Sequence, residues 1–140
     1  IAKTLAHARR NFCPWLQKRL QYVQISCRDA LQVIAERDSV NTFFYLDPPY
    51  PDTNQGHYAG YGWGELERLL KILAAIKGKF MLSNYPSSMI SDFSEKNNWN
   101  IRQISLKKDA CLAIDPTAKK TEILVMNYEI SVPQELSIFK

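Results

Sequence analysis

The sequence predicts an α/β domain built on a largely parallel sheet and ended by an antiparallel hairpin. Three observations predict it. Short β-rich runs alternate with segments of helical periodicity, the pattern of strands joined by crossover helices. The run NTFFYL, Asn41 to Leu46, is apolar nearly throughout, which suits a parallel strand buried on both faces. The last two β-rich runs have no helix between them, so they should pair antiparallel.

Leu5 to Leu20 reads as helical, with Leu5, Ala8, Phe12, Trp15, Leu16 and Leu20 near one stripe. Pro14 either kinks that helix or opens a second one in its first turn. Tyr22 to Ser26 alternates as a short strand. The helix that follows places Leu31, Ile34 and Ala35 on one face, with Asp29 at the N-cap position. After the Asn41–Leu46 strand comes a loop rich in Gly, Tyr and Pro, Pro48 to Gly64. From Glu65 to Lys77, residues Leu66, Leu69, Leu70, Leu73 and Ile76 make one helical stripe, and Gly78 supplies the stop. Lys79 to Asn84 is the next strand. Pro86 opens a short helix with Met89, Ile90 and Phe93 inward. Ile101 to Leu106 and Thr121 to Ile130 are the final strands, joined by a polar connection. No repeat or linker divides the chain, so one domain of 140 residues is expected. Trp15, Trp63 and Trp99 are expected to pack rather than to serve as platforms for bases.

Composition narrows the classes. At 46% hydrophobic and 23% charged, the chain has the profile of a globular protein. No apolar run approaches the roughly 20 residues that span a bilayer, so no membrane partner is expected. The three cysteines, Cys13, Cys27 and Cys111, are scattered without CxxC spacing, which argues against a disulfide framework or a zinc site. A reducing, cytoplasmic setting follows. The net charge of +4 permits a polyanionic partner without requiring one.

The chemistry concentrates in LDPPY, Leu46 to Tyr50. Ligands of open parallel sheets bind outside the carboxyl ends of strands, and Asp47 falls at such an end. Pro48 and Pro49 fix φ near −65° and remove two donors. What remains is a stiff carboxylate, prolyl carbonyls and an aromatic ring. Its natural guest is planar and carries an NH2 group. The amine hydrogens go to Asp47 and the Pro48 carbonyl, and the guest's ring stacks on Tyr50. A proline turn explains Asp-Pro alone, but not the whole string at a strand end.

LDPPY resembles the catalytic motif of S-adenosylmethionine-dependent amino methyltransferases. The succession Trp15, Leu20, VQIS, RDALQVI, FFYLDPPY, HYAGY, KGKFMLSNYPS and KKTEILVMNY resembles the Dam-type adenine-specific DNA methyltransferases, especially those of prophages and restriction–modification systems. The resemblance implies a Rossmann-like methyltransferase sheet, S-adenosylmethionine as cofactor and double-stranded DNA as partner in a prokaryotic or phage setting. It implies a target adenine rotated out of the duplex. Asp47, Pro48, Pro49 and Tyr50 would be catalytic. Asp29 and Asp47 would meet the cofactor, although Asp29 serves equally well as a helix N-cap. Tyr50 and Tyr61 would contact the DNA, with His57 and Tyr58 nearby, and Asn84 and Tyr85 would wall the pocket or pack in the core. Lys107, Lys108, Lys119 and Lys120 flank the hairpin connection and are candidates for phosphate contact.

The chain departs from that family in one respect. All five glycines lie at or beyond Gly56, so no glycine-rich cofactor loop follows an early strand, and the target-recognition segment is missing or reduced to the first helix. The chain therefore resembles the carboxyl-terminal portion of such an enzyme and is expected to be inactive alone. The sheet should be open beside Thr42 to Leu46, inviting either an amino-terminal half or self-association. Two other functions fit the motif: methylation of a guanine amine in ribosomal RNA, and a non-catalytic nucleic-acid-binding or oligomerising remnant.

Overall fold

The computed structural model describes residues 14–51, 60–107 and 119–130. Its elements are α1 (Pro14–Leu20), α2 (Ala30–Arg37), β1 (Phe43–Leu46), α3 (Trp63–Leu73), β2 (Lys79–Asn84), α4 (Ser88–Asn97), β3 (Asn100–Lys107) and β4 (Lys119–Met126). The four strands form an open sheet in the order β1-β2-β4-β3. β1 and β2 are parallel, with Phe44 opposite Phe80 and Leu46 opposite Leu82. β4 runs antiparallel to both of its neighbours. The sheet is therefore mixed, and the predicted antiparallel hairpin is present as β3 and β4.

Register decides which side chains share a face. Phe44, Phe80, Leu82, Ile123 and Val125 lie on one side and join the core with Ile34 of α2, Leu66, Leu69, Leu70 and Leu73 of α3 and Ile90 of α4. The predicted stripe of α3 is the stripe that is buried, and Ile76 packs against it from the turn that follows. Trp99 sets its ring at 82° to Phe80, 4.9 Å away, an edge-to-face contact that closes this core. Met89 and Phe93 also pack against it. Trp15 and Trp63 are exposed, so the packing expected of them does not extend beyond Trp99.

Several sequence expectations are corrected. Tyr22 to Ser26 forms no strand. A strand needs a ladder partner for its backbone groups; this segment has none among the described residues, and Tyr22 and Ile25 are each 91% exposed. β1 is not buried on both faces, because Phe43 and Tyr45 alternate outward while Phe44 and Leu46 are half-buried. The helix expected over Glu65–Lys77 spans Trp63–Leu73 instead. Glu65 serves its amino-terminal turn, where Oε2 accepts the Gly62 N–H at 3.0 Å, a bond that holds the Glu65 carboxyl below its ordinary value. The last strand ends at Met126, short of Ile130. There the Asn127 side chain takes over the ladder's role, accepting from Phe80 N and donating to Gly78 O, each at 2.9 Å. For the amino-terminal helix, α1 covers Pro14–Leu20, and the rest of the expected helix, from Leu5 onward, lies outside the described residues.

Gly78 stops no helix, since α3 ends at Leu73 with Ala74 as its C-cap. It is there because the chain is crowded. Asp38 Oδ1 accepts the Gly78 N–H at 2.9 Å, and both Asp38 oxygens accept the Lys77 N–H. This clamp draws the start of β2 onto the segment ahead of β1. A Cβ at Gly78 would lie 2.7 Å from the Thr42 carbonyl and 2.9 Å from the Ser39 carbonyl. Both are backbone atoms that cannot move aside. Gly78→Ala is therefore expected to destabilise the fold by about 1–3 kcal/mol, read as a lowered denaturant midpoint at unchanged slope.

Candidate active site at the carboxyl end of β1

β1 ends at Leu46, and the chain leaves the sheet through Asp47-Pro48-Pro49-Tyr50. Asp47 is exposed at the mouth, the next three residues are half-buried, and Pro51 is buried. The prolines stiffen the exit and direct Tyr50 back over the neighbouring strand. There its hydroxyl meets two partners. It donates to Asp47 Oδ1 at 3.1 Å, and it lies 2.7 Å from Ser83 Oγ, a contact in which either oxygen can be the donor. The Tyr50 ring stands edge-to-face with Tyr85, with centroids 4.6 Å apart at 67°.

Burial, together with the negative charges of Asp47 and Glu122, pushes the Tyr50 phenol up to about 12; the hydrogen bond from Ser83 opposes that rise. The phenol thus keeps its proton through the neutral range. Ser83 is 6% exposed and Asn84 is 2% exposed. The alternation of β2 sends Ser83 toward Tyr50 and Asn84 toward the core. Asn84 Oδ1 accepts the Tyr85 N–H at 2.8 Å, which ties the loop after β2 to the strand end.

The predicted residues fall into three groups. Asp47, Pro48, Pro49 and Tyr50 form one compact cluster, joined by Tyr85. Asp29 caps α2, its Oδ1 accepting the Gln32 N–H at 3.1 Å, while Arg28 bridges to Glu36 of the same helix. Among the described residues no hydrogen bond or ion pair joins Asp29 to Asp47. Tyr61 is half-buried against the core, and burial followed by the charge of Glu65 pushes its phenol up to about 12. Register places Lys107 opposite Lys119, and Leu106 opposite Lys120, at the far end of the hairpin. His57, Tyr58 and Lys108 lie outside the described residues. Sequence reasoning missed Ser83 and Glu122. A small polar residue interrupting the apolar run FMLS was the available signal for Ser83; nothing marked Glu122.

The fold is a mixed α/β sheet, and at the carboxyl end of β1 an acceptor set stands beside aromatic rings. A family model for D12 class N6 adenine-specific DNA methyltransferases matches residues 4–127, and the chain belongs to that family. No curated protein matches the chain. Among the described residues no helix is long and apolar enough to cross a membrane.

Proposed function

We propose that this chain carries the target-amine half of a DNA adenine N6-methyltransferase. The observation that carries the reading is the Asp47–Tyr50 cluster at the end of β1, in a chain of this family. An exocyclic amine is conjugated with its ring and is a poor nucleophile. Asp47 and the Pro48 carbonyl accept its two hydrogens and favour a pyramidal nitrogen with its lone pair exposed. Asp47 acts through orientation and electrostatics rather than by forming a covalent bond. Tyr50 offers a stacking surface, which offsets part of the few kcal/mol lost on unstacking the base. Tyr61 and the lysines Lys107, Lys108, Lys119 and Lys120 are the proposed DNA contacts, the lysines through salt-sensitive phosphate pairing.

The family implies S-adenosylmethionine, which supplies an electrophilic methyl group when bound. The residues present fit it in part. Asp29 engages Oδ1 in its helix cap and presents a second oxygen, and Asp47 stands at the sheet edge. No glycine-rich loop occurs among the 140 residues to hold the methionine end. β1 has a single ladder neighbour among the described residues, and Phe43 and Tyr45 beside it are 54% and 62% exposed. These features support a Rossmann-like sheet completed by another segment or chain along β1.

The test supplies labelled S-adenosylmethionine to the 140-residue chain, alone and with the amino-terminal half of a family member. Duplex DNA and ribosomal RNA are offered in parallel. Label is expected in DNA adenine, and only with the added half. Label in RNA guanine, or turnover by the chain alone, would refute the corresponding part of the proposal.

A further inference from the structure

We propose that Ser83 is a positioning residue for the target amine: its hydroxyl holds the Tyr50 phenol when Tyr50 yields Asp47 to the substrate. The inference rests on the adenine-methylation reading and deepens it.

The argument begins with a proton count. A phenol has one proton. Tyr50 donates it to Asp47 Oδ1 at 3.1 Å, so the 2.7 Å contact with Ser83 must be made by the serine's proton. In the free protein the bonds run in one direction, from Ser83 to Tyr50 to Asp47. Tyr50 thereby occupies one of the two carboxylate oxygens open to an incoming amine. When the amine arrives, Asp47 accepts from it in place of the phenol. The phenol proton then turns to Ser83 Oγ, which can accept as well as donate. One hydrogen bond reverses and one is exchanged: the phenol proton stays paired throughout, and the Ser83 proton is released from Tyr50.

Ser83 is placed to be the fixed member of this exchange. It is 6% exposed and lies within β2, which is laddered to β1 on one side and to β4 on the other. Asp47 and Tyr50, by contrast, lie on the segment that leaves the sheet. Tyr85 restrains the ring from its edge, and Glu122 is the other charged group near the phenol. Released from Asp47 without Ser83, the Tyr50 hydroxyl would lose both hydrogen bonds described for it at the moment when its ring has to stack on the base.

The test compares Ser83→Thr with Ser83→Val, which differ in a hydroxyl but hardly in shape. In the free chain, the ring-current shifts between Tyr50 and Tyr85 are read by NMR. In the protein complemented with an amino-terminal half, KM and kcat for duplex DNA are read separately. Ser83→Val is expected to lose the shifts and to raise KM about 3- to 10-fold with a smaller change in kcat, the scale of one lost hydrogen bond. Ser83→Thr is expected to restore both to within about twofold. Tyr50→Phe should reproduce the KM effect, and the double variant Tyr50→Phe, Ser83→Val should be no worse than either alone. Unchanged shifts and KM in Ser83→Val, equal damage in Ser83→Thr, or additive damage in the double variant would overturn the proposal. If the unsubstituted protein transfers no methyl group, the adenine-methylation reading fails, and the NMR comparison alone decides for or against the Ser83 anchor.

Discussion

Asp47→Ala is expected to abolish methyl transfer while leaving the fold intact. The carboxylate is exposed at the end of β1, and its described hydrogen bond is the one it accepts from Tyr50. Its removal takes little from stability, about 0.5–1 kcal/mol, because Asp47 is exposed and the Tyr50 hydroxyl keeps Ser83 as a partner. Catalysis depends on it differently. The target amine needs two acceptors to leave the plane of its ring, and alanine leaves only the Pro48 carbonyl. Loss of a preorganised electrostatic partner of this kind lowers kcat by about a hundredfold or more. Asp47→Asn separates charge from shape: it keeps an oxygen acceptor without the negative charge and is expected to fall between the parent and alanine. Initial rates in the complemented protein, beside thermal melts of each variant, check the result. Near-normal turnover in Asp47→Ala would remove the basis for the proposed function.

The largest expected loss of stability comes from Phe80→Ala. Phe80 is fully buried, faces Trp99 edge-on and lies opposite Phe44 in the parallel pair. It thus touches the sheet, the core and the segment that closes the core. Truncating a buried Phe removes about 3–5 kcal/mol. Domains of this size hold about 5–15 kcal/mol in total. The melting temperature should fall by roughly 10–20 °C. Phe80→Leu keeps most of the volume and should retain a cooperative melt. A Phe80→Ala melt within a few degrees of the parent would mean that the core collapses around the lost ring.

The elements whose cause is local were legible in the sequence. The stripe Leu66, Leu69, Leu70 and Leu73 is fixed by the 3.6-residue period, and the structure buries those residues. LDPPY was legible because prolines after a β-rich run mark where a strand must stop. The misreadings share another cause. Tyr22 to Ser26 alternates like a strand, but a strand also depends on a neighbour that no local pattern specifies. The Asp38 clamp on Gly78 joins residues 40 apart, and the Tyr50 contact with Ser83 joins residues 33 apart. Both depend on β1 and β2 lying side by side in register. Ser83 therefore looked like one small polar residue in an apolar strand until parallel pairing brought Tyr50 over it.

The strand order has a consequence for how the chain is made. β4 is the last strand among the described residues, yet it lies between β2 and β3. During synthesis, β2 and β3 emerge from the ribosome with the place between them empty. Each then presents unpaired N–H and C=O groups along the side that β4 will occupy. At about 5–20 residues per second, the 11 residues from Lys108 to Ala118 hold that gap open for roughly a second before β4 begins to emerge. The nascent chain is thus most prone to pair with a neighbouring chain late in translation, when most of its core residues already exist but cannot yet close around a complete sheet.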